Sequence, residues 1–224
     1  MWAVFKKEVK SYFLTPIGYV FIGIFLAMCS IFFYLDVIGY MSLQFENMFY
    51  SVSTILTFIT PILTMKMFSE EKKLGTEQLL YTSPISIRKI VIGKFLASIF
   101  VVAITEICTL FYLGLLYFFG TPHIQTVLIT LLGFFMLSMA YISFGMFASS
   151  LTENQIIAGI LTIGFFIITW FLPNFSDIFM SISLIQMFDK FPRRDNCIRR
   201  NSNIHNIYYF IHITYNKSIA KKKR

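Results

Sequence analysis

The sequence predicts an all-α protein that crosses a membrane several times. It is 57% hydrophobic and only 13% charged, a composition too apolar for an ordinary soluble domain. Residues 95–189 contain no Lys or Arg, so they offer several windows of the about 20 apolar residues that a spanning helix requires. Six of the 19 Lys and Arg residues fall instead within residues 66–94. Cations concentrated between apolar runs mark the cytoplasmic side of a membrane protein.

The formal charge of +8 belongs to one end of the chain. Residues 1–190 contain ten Lys or Arg and ten Asp or Glu, whereas residues 191–224 contain nine cations against Asp195 alone. A basic tail on a membrane protein contacts lipid headgroups or fixes topology more often than it binds nucleic acid. We therefore expect a single transmembrane domain, 1–190, and a basic tail, with the lipid bilayer and not nucleic acid as partner.

Residues 1–16 predict an amphipathic helix. Trp2, Phe5 and Tyr12 share one helical face, and three lysines lie on the other side. This pattern fits a helix that lies in the membrane interface. The alternative is a positively charged flank that orients the first span, and both interpretations place the N-terminus in the cytoplasm.

The apolar runs predict five transmembrane helices. Pro16 separates the first of them from the N-terminal helix, and Pro61 should kink the second because it removes one backbone hydrogen bond. In the fourth, Gly145 and Ser149 are four residues apart, which is a weak signal of close helix packing. The predicted spans are residues 17–38, 48–67, the apolar part of 87–120, 124–149 and a fifth that ends near residue 173.

The segment 66–94 begins with the signals of a short helix. Ser69 can cap it, and Glu70 and Glu71 in the first turn would suit the positive end of the helix dipole. Gly75 provides the stop.

A second short helix is predicted next. Thr76 can cap its start, Pro84 stops it, and Ser86 can cap the long helix that follows. At the base of that long helix, Arg88, Lys89 and Lys94 can reach lipid phosphates. Two short capped helices pinned between spans form a rigid surface that a soluble partner could push.

The same segment resembles the cytoplasmic coupling segment of ABC-2 type permeases, the membrane subunits of ATP-binding cassette exporters. The N-terminal run FKKEVKSYFLTPIGY resembles the entry of that family into its first span. The runs in the segment that carry the resemblance are Phe68-Ser69-Glu70-Glu71, Gly75-Thr76-Glu77 with Leu79-Leu80, Thr82-Ser83-Pro84-Ile85-Ser86, and Gly93-Lys94-Phe95-Leu96-Ala97.

The resemblance implies a permease in the plasma membrane that pairs with a second permease copy and two cytoplasmic ATPase subunits. Glu70, Glu71 and Glu77 would be polar contacts with the ATPase, and Gly75 and Pro84 would set the shape of the surface. The coupling residues that the resemblance implies are Ser69, Glu70, Glu71, Gly75, Thr76, Glu77, Leu80 and Pro84.

The chain lacks the motif for ATP hydrolysis, GxxxxGK[ST]. Gly18 with Gly23, and Gly159 with Gly164, have the glycine spacing, but no lysine follows. The three cysteines form no CxxC, so we expect no metal site. We expect no enzyme activity and no bound cofactor, and we expect ATP and Mg²⁺ to bind in the partner subunit.

Two acids lie within predicted spans, where ionisable groups are costly and suggest a pathway. Asp36 is near the outer end of its span and can reach water. Glu106 falls near the middle of the bilayer, as a pathway residue or in a buried helix–helix hydrogen bond. The alternative function is therefore an ion-gradient-driven carrier or channel that uses Glu106. An intramembrane enzyme is a third hypothesis, but it lacks paired catalytic residues.

The tail 191–224 departs from the ABC-2 pattern. Family members insert short helices near residues 175–188 and then finish with a sixth span, but the last apolar run here has only about a dozen residues. Five cations in residues 189–204 would also lie outside the membrane, against the orientation rule. We expect an altered or truncated C-terminus, such as a frame change would leave.

Overall fold

The computed structural model describes residues 1–39, 45–76, 86–120, 122–171, 184–185 and 188. In these residues every regular element is a helix, so the protein is an all-α polytopic membrane protein. The elements are α1 (Trp2–Leu14), α2 (Pro16–Phe32) with its π-helical continuation (Phe33–Gly39), α3 (Phe45–Thr64), α4 (Lys66–Lys73), α5 (Ile87–Phe119), α6 (Ile124–Leu151) and α7 (Gln155–Phe171).

Within the described ranges, four helices are long and apolar enough to cross a bilayer: Pro16–Gly39, Phe45–Lys73, Ile87–Phe119 and Ile124–Leu151. They correspond to the first four predicted spans. The fifth predicted span is present as α7, which is apolar but shorter, with 17 residues. At about 1.5 Å per residue it extends roughly 25 Å, somewhat less than the about 30 Å hydrocarbon core.

The break between α1 and α2 lies at the predicted position. Thr15 is extended, with φ −92° and ψ 155°, and Pro16 begins α2. Proline suits the first position of a helix because its missing N–H would have no partner there. The short connection lets α1 pack beside α5, with the ring of Phe5 edge-on to that of Phe100 at 5.8 Å. Trp2 and Leu14 remain exposed, which suits the membrane interface.

The core lies between α3 and α6. At the end of the bundle far from α1, three aromatic rings lock together, with Phe134 centred 5.7 Å from Phe25 and 5.0 Å from Phe49. Near the other end, Gly145 of α6 lies so close to Thr64 of α3 that an added Cβ would overlap the Thr64 side chain. The two helices therefore touch backbone to side chain at this point, as the predicted packing signal indicated.

The structure corrects the predicted caps of segment 66–94. Ser69 is not an N-cap, because α4 begins at Lys66 and the Ser69 hydroxyl donates back to the Met65 carbonyl. Ser86 does precede α5, but its side chain caps no described N–H group. Gly75 ends α4 with φ +68°, as predicted.

Other expectations concern residues outside the described ranges. They are the second short helix, the short helices near 175–188 except for residues 184, 185 and 188, and the tail 191–224. Pro61 lies inside α3, which ends one turn later at Thr64, and α4 begins at Lys66.

We expect Gly145→Ala to destabilise the protein by about 1–3 kcal/mol, the usual cost of overpacking a tight contact. Gly164→Ala in α7 is the matched control, because a Cβ there meets no atom within 4 Å. Thermal unfolding in detergent measures both. An equal effect of the two substitutions would contradict the close contact at Thr64.

Candidate functional site

The candidate site lies where α4 meets α1, α5 and α6, which we call the lysine-rich end of the bundle. Met67, Phe68 and Ser69 form the buried face of α4. Met67 and Phe68 pack with Val91 of α5 and Met146 of α6. The opposite face carries Lys66, Glu70 and Lys73. This short helix is thus amphipathic, with one face fixed to the bundle and one face open.

A buried lysine joins three helices at this end. Lys94 of α5 is only 3% exposed, and its Nζ lies 2.8 Å from Glu71 Oε1 of α4 and 3.1 Å from Glu8 Oε1 of α1. Lys7 Nζ lies 4.0 Å from the same two oxygens. We call these four residues the ion cluster. Its two ammonium groups balance its two carboxylates, and the Phe68 ring lies 5.5 Å from the Lys94 ammonium.

The ion cluster constrains geometry more than it adds stability. Removing charges from water costs several kcal/mol per ion, and their attraction compensates for this only with good geometry. Loss of one partner from such a group costs more, because the remaining charge is left buried and unpaired. The three helices therefore cannot separate cheaply. The expectation that Lys94 contacts lipid phosphates is wrong, whereas Arg88 and Lys89 are exposed as expected.

A hydroxyl network lies next to the ion cluster. The Tyr12 hydroxyl donates to the Leu63 carbonyl at 3.1 Å and lies 2.9 Å from Ser98 Oγ. Burial raises the pKa of the Tyr12 phenol, so it stays neutral. Ser98 Oγ also lies 3.3 Å from the carbonyl of Lys94. The network ties α1 to the end of α3 and to α5, beside the buried ammonium.

α6 holds α4 from the other side. The hydroxyl of Ser149 accepts hydrogen bonds from the backbone N–H groups of Phe68 and Ser69, at 3.0 and 3.1 Å. It donates in turn to the carbonyl of Met65 at 3.0 Å. Lys72 Nζ donates to the carbonyl of Ser150 at 2.7 Å. The end of α6 is therefore joined to α4 along its length.

A cavity of about 470 Å³ lies between α1 and the segment 66–76. Its walls carry hydroxyls and charges of both signs, and part of the ion cluster forms one side. Residues that line it include Lys7, Ser11, Thr15, Lys66, Glu70 and Thr76.

The structure divides the predicted coupling residues into two groups. The Glu70 side chain is 44% exposed, 4.0 Å from Lys66, and Gly75 is exposed at the end of α4. Thr76 lines the cavity. By contrast Ser69 is fully buried, and Glu71 is 15% exposed within the ion cluster. Glu77, Leu80 and Pro84 lie outside the described residues, so their roles stay predictions.

Sequence reasoning does not identify several residues of this site, among them Glu8, Lys94 and Ser149. Glu8 stands among three lysines of α1, and no local pattern distinguishes it. Lys94 belongs to a run that resembles the family, but its position predicts only a membrane-flanking cation. For Ser149 the spacing from Gly145 predicts only close packing. Each acts through a partner far away in the chain, which a local pattern does not reveal.

The two intramembrane acids differ in their surroundings. Asp36, in the π-helical segment, accepts a hydrogen bond from Ser51 Oγ at 2.9 Å, far from the ion cluster. Glu106 is half-buried in α5. Its carboxylate forms no hydrogen bond or ion pair with the residues that the structure describes, so the helix–helix hydrogen bond is not found among them. A role in a pathway stays a prediction.

We expect Lys94→Met to lower the free energy of unfolding by about 3–5 kcal/mol, because it leaves the carboxylates of Glu8 and Glu71 facing each other without their cation. Replacing both acids by Gln in the same variant should restore most of the loss. Lys89→Met is the control for an exposed cation and should change stability by about 0.5 kcal/mol or less. Denaturation in mixed micelles measures all three variants. If the two lysine variants behave alike, the ion cluster does not hold these helices together.

The comparison with known families agrees with the fold. Residues 2–217 match the family described as ABC-2 family transporter protein. No protein of curated function matches the chain significantly. The family match covers nearly all of the 224 residues, including every helix of the site. The chain therefore belongs to the ABC-2 family of transporter proteins, as a membrane component that is not itself catalytic.

Proposed function

We propose that this chain is the permease subunit of an ATP-driven exporter, in which a separate subunit hydrolyses ATP. One observation carries the proposal. The short helix α4 presents a charged face outward while its other face is fixed to three helices of the bundle by the ion cluster and by Ser149. A surface of this kind passes a displacement inward, whereas a solvated loop would absorb it.

The contacts of α4 determine which helices would move when the ATPase displaces it. A displacement of α4 acts on α5 and α1 through Lys94, and on α6 through Ser149 and the bond between Lys72 and the Ser150 carbonyl. Through Pro16 the motion of α1 reaches α2. Three spans, α2, α5 and α6, and the interfacial helix would therefore respond together, because close-packed and fully paired contacts allow little independent movement.

The ATPase would bind at the cavity between α1 and the segment 66–76. Glu70 is the most accessible acid there, so a basic group of the partner is its natural contact. Gly75 and Thr76 shape the rim, and Glu77, Leu80 and Pro84 would extend the surface beyond the described residues. ATP and Mg²⁺ would bind in the ATPase, and this chain would hold no cofactor.

The lysine-rich end would face the cytoplasm, with the chain in the plasma membrane and its N-terminus inside. The cations on α1, α4 and the start of α5 support this orientation. A second permease copy would complete the transport pathway, as the resemblance to ABC-2 type permeases implies.

One observation favours a second candidate, a carrier or channel driven by an ion gradient. The carboxylate of Glu106 has no polar partner among the described residues, and an acid within a span is costly unless it serves a pathway. This candidate gives no role to α4 and its links. Transport that orthovanadate inhibits would favour the exporter, and transport that an uncoupler inhibits would favour the carrier.

Orientation can be tested with single cysteines at positions 73 and 123, in a variant that lacks Cys29, Cys108 and Cys197. Lys73 is exposed at the end of α4, and His123 lies between α5 and α6, at the opposite end of the bundle. A membrane-impermeant thiol reagent should modify position 123 in intact cells, and position 73 only after the membrane is opened. The reverse pattern would contradict the proposed orientation.

Substitutions of the neighbouring residues Glu70 and Glu71 can separate an effect on ATPase binding from an effect on folding. Glu70→Lys should leave the protein inserted and stable but abolish its co-purification with the ATPase, because a reversed charge at a desolvated contact costs several kcal/mol. Unchanged recovery of the ATPase would exclude Glu70 from the interface.

Glu71 requires a paired variant, because its partner is internal. Glu71→Lys alone places a second cation beside Lys94, so we expect loss of both stability and ATPase recovery. The exchange Glu71→Lys with Lys94→Glu, combined with Glu8→Gln so that the new carboxylate at position 94 faces no second one, should restore most of the stability. Recovery of the ATPase with this triple variant would assign Glu71 to the ion cluster, and continued loss would assign it to the docking contact.

A further inference from the structure

The junction between α3 and α4 lies at Met65, whose backbone angles, φ −57° and ψ −31°, are themselves helical. The two helices form one apolar segment, Phe45–Lys73. In an α-helix the N–H groups of Phe68 and Ser69 point toward the carbonyls of the residues four positions earlier. Here both N–H groups donate to the hydroxyl of Ser149 from α6.

The hydroxyl of Ser149 is fully used at this junction. A serine hydroxyl has one hydrogen to donate and two lone pairs to accept. Ser149 donates to the Met65 carbonyl and accepts from two backbone N–H groups, and the residue is completely buried. A side chain inserted into the hydrogen-bond ladder of a helix is an established cause of bending. The orientation of α4 relative to α3 therefore depends on a group that belongs to α6.

Gly145 explains how Ser149 reaches this position. It lies one turn before Ser149 on the same face of α6, since residues four apart lie above one another. Its lack of a side chain lets α6 approach Thr64, the last residue of α3. The pair therefore does more than pack helices, because the glycine allows the approach and the serine hydroxyl occupies the junction.

We infer that Ser149 is a positioning residue that sets the orientation of α4 on the bundle. This consequence rests on the proposed function: because the Ser149 hydroxyl bonds α6 to the start of α4, a displacement of α4 by the ATPase would move α6 with it. The bond from Lys72 Nζ to the Ser150 carbonyl holds the far end of α4 to the same stretch of α6. Two attachment points fix a direction, whereas one would allow rotation.

Other serines of α6 provide a matched control. Ser143 is also buried, 2% exposed, but its hydroxyl donates to the carbonyl of Met139 in its own helix, at 2.8 Å. Ser143→Ala thus removes a hydroxyl of similar burial from the same helix without affecting α4. A change in the position of α4 that occurs with Ser149→Ala but not with Ser143→Ala is therefore due to loss of the bonds between Ser149 and α4, and not to the general loss of a buried hydroxyl.

The test measures the position of α4 in lipid nanodiscs by electron spin resonance. Spin labels at positions 73 and 123 report α4 relative to the far end of α6, and labels at 10 and 123 form a reference pair without α4. Wild type and Ser149→Thr should give one distance for the first pair. Ser149→Ala and Ser149→Val should shift it or add a second population, with the reference pair unchanged.

The Thr and Val variants have the same shape and differ in the hydroxyl, so their comparison stands even if Ser149→Ala does not fold. Distances in Ser149→Val equal to those in Ser149→Thr would overturn the inference. A shift of equal size in Ser143→Ala would also overturn it, because the effect would then not belong to the junction.

A second measurement separates this inference from the proposed function. With the ATPase subunit that co-purifies with this chain, Ser149→Val should lose the stimulation of ATP hydrolysis that Ser149→Thr retains. If the rate of ATP hydrolysis is the same with and without this chain, the proposed function fails, while a shift of α4 in Ser149→Val still supports the role of Ser149. If the ATPase responds to the chain and α4 does not shift, the inference fails alone.

Discussion

A buried ammonium group must have anionic partners, and this requirement organises the lysine-rich end of the protein. Lys94 is almost completely enclosed, so Glu8 and Glu71 must both come to it. Their helices, α1 and α4, are consequently held against α5. The cavity, the exposed face of α4 and the Tyr12 network all take their positions from this convergence. Without the charge on Lys94, only the 4.0 Å pair between Lys7 and Glu71 would join α1 to α4 among the ion pairs of the described residues.

The two ends of the bundle are held by a different balance of forces. Far from α1, aromatic rings and aliphatic side chains pack tightly, with polar links such as the bond from Ser51 to Asp36 among them. At the lysine-rich end the apolar packing around Phe68 is joined by directional bonds between helices, from Lys94, Tyr12 and Ser149. Packing is tolerant of small changes in angle, whereas an ion pair or hydrogen bond weakens steeply when its geometry changes. Directional polar bonds are therefore suited to the end of the bundle at which we propose that the ATPase binds and displaces α4.

Local signals in the sequence predicted the local features of the structure. The break at Pro16, the end of α4 at Gly75 and the first four spans depend on propensities and hydrophobic runs of neighbouring residues, so they could be read directly. The ion cluster could not, because Glu8 and Lys94 are 86 positions apart and either residue alone resembles a surface charge. The prediction of Ser69 as an N-cap is wrong for a similar reason. The hydroxyl that bonds to the backbone N–H of Ser69 belongs to Ser149, 80 positions later in the chain, and no neighbouring residue indicates it.

The sharing of one ammonium by two carboxylates changes what it costs to move α4. An exclusive pair would leave a bare buried charge as soon as its partner withdrew. Here Lys94 keeps Glu8 if Glu71 is displaced, and the Glu71 carboxylate still has the ammonium of Lys7, 4.0 Å away, as a second cation. A small displacement of α4 therefore lengthens one ion pair without leaving a charge unpaired, whereas full separation would take Glu71 away from both cations. The shared ammonium thus allows α4 to tilt on the bundle but not to detach from it.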